Sequence, residues 1–154
     1  MLEVVVDADS LQRTAAGSII GTIYLQGPAG SFPSEYWSDF PVVLLNWWIT
    51  GLGLVASGDR KSYSGDFMDG PYSFRIEADT GDEGRIAWGN RGTESPVGIV
   101  SIAALLKSAE AAGRLVLKSC RANNWASRDL DSLGQSLAAW PNNSFEPKPL
   151  RGSA

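Results

Sequence analysis

The sequence predicts a single α+β domain, an antiparallel β-sheet of about five strands with its helices packed mainly on one face. Three observations predict it. Residues 63–89 hold three short segments in which apolar and polar residues alternate, joined by turn-forming dipeptides. Two longer stretches, around 44–55 and 102–120, switch to the 3.6-residue rhythm of helices. The resulting order, β-β-α-β-β-β-α-α, lacks the regular β-α-β alternation of a parallel sheet.

Leu2 to Asp7 is rich in valine and reads as a strand, and Ser18 to Gln26 as a second. The polar, small residues between them, Asp9 to Gly17, suit a hairpin-like connection rather than a crossover helix. Gly27-Pro28 and Ala29-Gly30 mark a loop. Leu44, Trp47, Trp48, Gly51 and Val55 then fall on one helical stripe, with Ser38 or Asp39 able to cap it and Pro41 in its first turn. Val42, Leu45, Ile49 and Leu52 make the other side apolar too, so this helix is expected to be buried nearly all round. Gly51 and Gly53 imply close packing there or an early helix end.

Three strands follow, Tyr63 to Met68, Tyr72 to Asp79 and Gly84 to Gly89. Tyr72, Phe74 and Ile76 should face the core, with Ser73, Arg75 and Glu77 on the wet side. From Ile99 or Ser101 a long helix carries Ile102, Leu105, Leu106, Ala109, Ala112, Gly113, Val116 and Cys120, although Leu115 to Leu117 could form a short strand instead. Ser127 or Asp129 caps a final helix reaching about Trp140. Residues 1–141 form the expected domain, and 142–154, with Pro147 and Pro149, a loosely ordered tail.

At 154 residues, 44% hydrophobic and 19% charged, the chain is globular and large enough for a core without staples. The single cysteine, Cys120, allows no internal disulfide, and MLEVVVDADS lacks the basic start of a secretion signal. The longest apolar run, Pro41 to Val55, is short of the roughly 20 residues that span a bilayer. A cytoplasmic protein without membrane contact is expected. Residues 1–94 hold 13 acids and 6 bases, whereas 95–154 hold 4 and 7. An acidic front half argues against nucleic acid and fits either a basic protein partner or a merely solvated surface.

There is no histidine, which removes Ser-His-Asp and Cys-His catalysis and histidine-ligated zinc. Cys120 sits on an apolar helical stripe and reads as core. The enzymatic alternative joins VVVDADSL, with Asp7 and Asp9, to GDFMD, with Asp66 and Asp69. These resemble the nucleophile motif and the magnesium-binding acidic motif of haloacid-dehalogenase-type phosphatases. Ser10-Leu11 and the short GDFMD spacing depart from that pattern, and the predicted element order would not bring the motifs to one sheet edge. Asp79 to Asn90 fails as a calcium loop, with Gly81 at a ligand position and Asn90 replacing the closing glutamate. GLGLVA lies within a helix and fails as a dinucleotide fingerprint. Among the tryptophans, Trp47, Trp48 and Trp88 read as core, and Trp37, Trp125 and Trp140 as surface anchors. A third alternative is a small-molecule pocket lined by such residues. No cofactor or metal is implied.

Two signatures remain: Phe32-Pro33…Trp37-Ser38-Asp39-Phe40…Leu44-Leu45-Asn46-Trp47, and Phe67-Met68-Asp69-Gly70-Pro71-Tyr72. Together they resemble small bacterial proteins akin to the immunity proteins of polymorphic-toxin systems. That resemblance implies a small acidic α+β protein that is not an enzyme and blocks a toxin by binding it. The contact residues expected from the residues themselves are Asp66, Asp69, Glu77, Asp79, Asp82 and Glu83, on the outer face and turns of the three-stranded meander. The alternative is that Arg75 and Arg85 pair with several of them across strands.

Overall fold

The computed structural model describes residues 1–139. The expected tail 142–154 and Trp140 lie outside the described residues. The fold is α+β, and among the described residues nine strands, all paired antiparallel, form two sheets rather than one.

The first sheet is organised by one long strand. β1 (Glu3–Val6) leads through a 3-10 turn (Ala8–Ser10) into the two-residue β2 (Gln12–Arg13), and β3 (Ile19–Gly27) returns antiparallel to both. β4 (Gly30–Phe32) and the two-residue β5 (Ser38–Asp39) pair with β3 as well. The hairpin-like connection is therefore observed. β2, β4 and β5 are too short to show a sequence period.

α1 (Pro41–Ala56) follows with Pro41 at its start, as its missing N–H permits. Neither expected cap acts, because Phe40 is the N-cap and has no side-chain cap bond. α1 packs against two further helices and against both sheets through β3 and the next strand. Ten of its residues are buried, but Trp47 is 44% exposed on a narrow wet strip with Asn46 and Thr50. Gly51 is a contact, not an end: a Cβ there would stand 2.1 Å from the Tyr63 ring.

The second sheet is the meander β6 (Ser62–Asp66), β7 (Tyr72–Ala78), β8 (Glu83–Asn90) and β9 (Ser95–Ser101), in that order. Phe74 and Ile76 face the core and Arg75 the solvent, as alternation requires. Ser73 departs from it: it is fully buried, with its hydroxyl donating to Glu94. The sequence pattern missed β9. Pro96 and Gly98 disguise it, and proline is tolerated because β9 is an edge strand with a register shift opposite Ile86/Ala87.

α2 (Ile102–Ala122) is unbroken, so Leu115 to Leu117 are helical. Ser101 caps it, accepting from the Ala104 N–H at 3.1 Å. Gly113 admits Ile49 and Leu137, which a Cβ would meet at 3.0 and 3.3 Å. α3 (Arg128–Ala139) is capped by Ser127 and buries Leu130, Leu133 and Leu137. The helices pack on one another as a layer, and their buried residues join those of the strands in one core.

Candidate functional site

The two signatures meet in space. Asp39 is 2% exposed, and its carboxylate gathers four N–H groups. Oδ1 accepts from the Phe40 amide at 2.8 Å and the Met68 amide at 3.2 Å. Oδ2 accepts from the Trp37 indole and the Asp69 amide, each at 3.0 Å. A buried carboxylate needs such donors to offset its lost hydration, and here they tie the start of α1 to the turn Phe67–Pro71. Arg91 holds the same turn from the other side, donating to the Phe67 carbonyl at 2.9 Å and to Asp66 at 3.1 Å. Gly70 takes φ 79°, which favours glycine.

Aromatic rings fill the junction. Phe32 stacks on Trp88 at 5.1 Å between centroids and meets Phe67 and Tyr72 edge-on. Trp48 meets Phe67 and Phe74, and its indole donates to the Asp66 carbonyl at 3.2 Å. Trp88 is thus half-buried at the junction, and Trp37 sits edge-on to Tyr72. Burial, and then the nearby Asp66, push the Tyr63 phenol pKa up. The signatures therefore describe a rigid junction between the two sheets. The sequence pattern placed Asp39 as a helix cap and gave no sign of its burial, since Glu35 sits among the same aromatic residues and is exposed.

The six expected contact residues share a region but differ in what they do. Asp66 pairs with Arg91 at 3.1 Å, Glu77 with Arg75 at 3.3 Å, and Asp79 with Arg85 at 4.0 Å. All these side chains are about half exposed, where an ion pair contributes ~0–1 kcal/mol. Asp82 is structural: its carboxylate accepts from the Ser101 hydroxyl and from the Ala103 amide at 2.9 Å, fixing the start of α2. Asp69 and Glu83 are exposed and form no ion pair among the described residues. Across residues 62–101, seven acids stand against three bases, a balance of −4.

The motifs of the enzymatic alternative stay apart. Asp7 turns back on its own 3-10 turn, accepting the Asp9 amide at 3.0 Å, while Asp66 and Asp69 belong to the other sheet's first hairpin. Among the described residues, no group of three or more Asp, Glu or Cys side chains is placed to hold a metal ion. Cys120 is fully buried, and burial raises its thiol pKa. No helix among the described residues is long and apolar enough to cross a membrane. A cavity of about 430 Å³, bordered by Trp88, is lined by Leu2 and Pro28, which flank strands of the first sheet, and by β9 of the second. Comparison with protein-family models, curated proteins and solved structures finds no match to this chain.

Proposed function

We propose that this chain is a non-enzymatic acidic binding protein of the cytoplasm. It engages a basic protein partner through the outer face and turns of the second sheet, in the manner of an immunity protein that blocks a toxin. The carrying observation is the excess of acids over bases in residues 62–101, seven against three. A surface so biased attracts a basic cleft over a Debye length and orients it before contact. The three ion pairs on that face are solvent-exposed and cost little to exchange for pairs with a partner. The junction at the Phe67–Pro71 turn and the Asp82 bonds to the start of α2 fix the two ends of that face, which limits the entropy lost on binding.

The test starts with the neighbouring gene. It should encode a toxin domain whose expression stops growth, and co-expression of this chain should restore growth. With that domain purified, the association rate should fall steeply with salt. The double reversal Asp69→Lys/Glu83→Lys should slow association by roughly tenfold or more while leaving stability unchanged, because both side chains are exposed. An association rate indifferent to salt and to the reversal would sink the acidic-face reading.

A further inference from the structure

We propose that the open edge of β9 is a docking site for an extended segment of a protein partner. That segment would seat one large apolar side chain in the adjoining cavity and place lysine or arginine beside it. The proposal rests on the acidic-partner reading above and adds where and how the partner is gripped.

The sheet edges are treated unequally. The edge of β1 is covered by α2, where the Ser108 hydroxyl accepts the Val4 N–H at 2.8 Å. The far end of β6 is held by α1 through Trp48 and the Asp66 carbonyl. β9 receives no such cover: among the described residues, no hydrogen bond beyond its ladder with β8 reaches residues 96–100. Sheet edges left this way accept another strand. Pro96, which lacks an N–H, limits the usable edge at one end, and the start of α2 limits it at the other.

The cavity lies directly against this edge. Val97, Ile99 and Val100 of β9 form one wall with Trp88, and Leu2 and Pro28 stand opposite. Its volume of about 430 Å³ exceeds what one large side chain fills, and Ile99, at its rim, is 67% exposed. Charge selects the occupant. Glu83 pairs in register with Ser101, which lines the cavity, and forms no ion pair among the described residues. In the same turn Asp79 is paired with Arg85 and Asp82 holds the start of α2, so Glu83 is the acid a basic group would meet. An apolar anchor with basic neighbours matches both features, as in interfaces where a desolvated anchor is ringed by polar contacts.

Gly98 supplies the test. It lines the cavity, and a Cβ built there meets nothing within 4 Å, so a side chain can start from this position without a backbone clash. Gly98→Phe puts a ring at the cavity wall, and its urea unfolding should match that of Gly98→Ala. The probe is a random-peptide display library selected on the full chain. Enriched peptides should carry an aromatic or large aliphatic residue flanked by Lys or Arg. They should shift the amide resonances of residues 97–101 and lose about tenfold or more in affinity on Gly98→Phe, but not on Gly98→Ala. Methylating alternate peptide amides should abolish binding in one phase and spare it in the other, because a paired strand points every second N–H at its neighbour.

Peptides that bind Gly98→Phe as well as the parent, but not Glu83→Lys, would overturn the edge site and leave the acidic face standing. Failure to enrich any peptide would overturn it too. If the dye 8-anilinonaphthalene-1-sulfonate binds in a Gly98→Phe-sensitive way while peptides do not, the cavity belongs to small molecules and the proposal fails.

Discussion

Glu110 is a charge in the wrong place, and it makes stability depend on pH in an unusual direction. It lies on the buried side of α2, 2% exposed, and its Oε2 has no hydrogen-bond partner among the described residues. Burial raises its pKa from 4.5 to about 7, against the opposing pull of Arg114 and then Lys107. The folded chain therefore keeps a proton that the unfolded chain releases. Between pH 4.5 and about 7, each step up in pH favours the unfolded state. The contribution is intact below the unfolded pKa and lost as pH rises through the folded one. A displacement from 4.5 to about 7, at ~1.36 kcal/mol per unit, corresponds to about 3 kcal/mol. Glu110→Gln is nearly isosteric and cannot ionise. Its stability minus the parent's should rise by about 3 kcal/mol between pH 4 and pH 8, whatever its offset at low pH. In a domain of this size that is a relative shift in Tm of roughly 10 °C. Urea unfolding of both proteins across that range measures the difference directly, and the remaining carboxylates cancel in it. A difference that stays flat with pH would refute the reasoning.

The junction and the helix contact are open to similar measurement. Asp39→Asn keeps the shape but turns an N–H₂ toward donors, so it should cost about 2–4 kcal/mol in chemical denaturation and perturb the amides of residues 67–72. Asp69→Asn, in the same turn but exposed, should cost less than ~0.5 kcal/mol. Gly51→Ala would ordinarily gain roughly 1 kcal/mol of helix propensity. Here the added methyl meets the Tyr63 ring, so a net loss of about 1–3 kcal/mol is expected, and a Tyr63→Ala background should remove most of the Gly51→Ala penalty.

The sequence was legible where side-chain period and burial coincide. α2 follows its period closely, α1 does so except at the exposed Trp47 and β7 except at the buried Ser73, and Ser101 and Ser127 cap the helices they were expected to cap or border. It was illegible where pairing, not period, makes the element. β2, β4 and β5 exist because β3 is long enough to template them. β9 exists because β8 offers a free ladder, and its Pro96 is admissible because the strand is an edge with a register shift. The split into two sheets was hidden for the same reason, since no local pattern encodes which strand pairs with which. At the site, alternation located the acids on the meander but could not separate their duties. Asp82 is bound by a helix that begins 20 positions later in the chain, at Ile102, and Asp66 by an arginine two strands away.

The two signature segments and the acidic face also divide the labour in a way that bears on function. Phe32, Trp37, Asp39, Phe67 and Tyr72 of the signatures pack into one junction, together with the neighbouring Trp48, so their pattern marks rigidity, not recognition. That junction holds the Phe67–Pro71 turn fixed at one end of the second sheet, while Asp82 fixes the opposite turn through α2. The exposed acids and the open edge of β9 lie between these anchors. A chain with this plan can vary Asp69, Glu77, Glu83 or Ile99 without disturbing its core, since each is wholly or partly exposed. The exposed face can therefore change while the fold persists, as the proposed binding role requires.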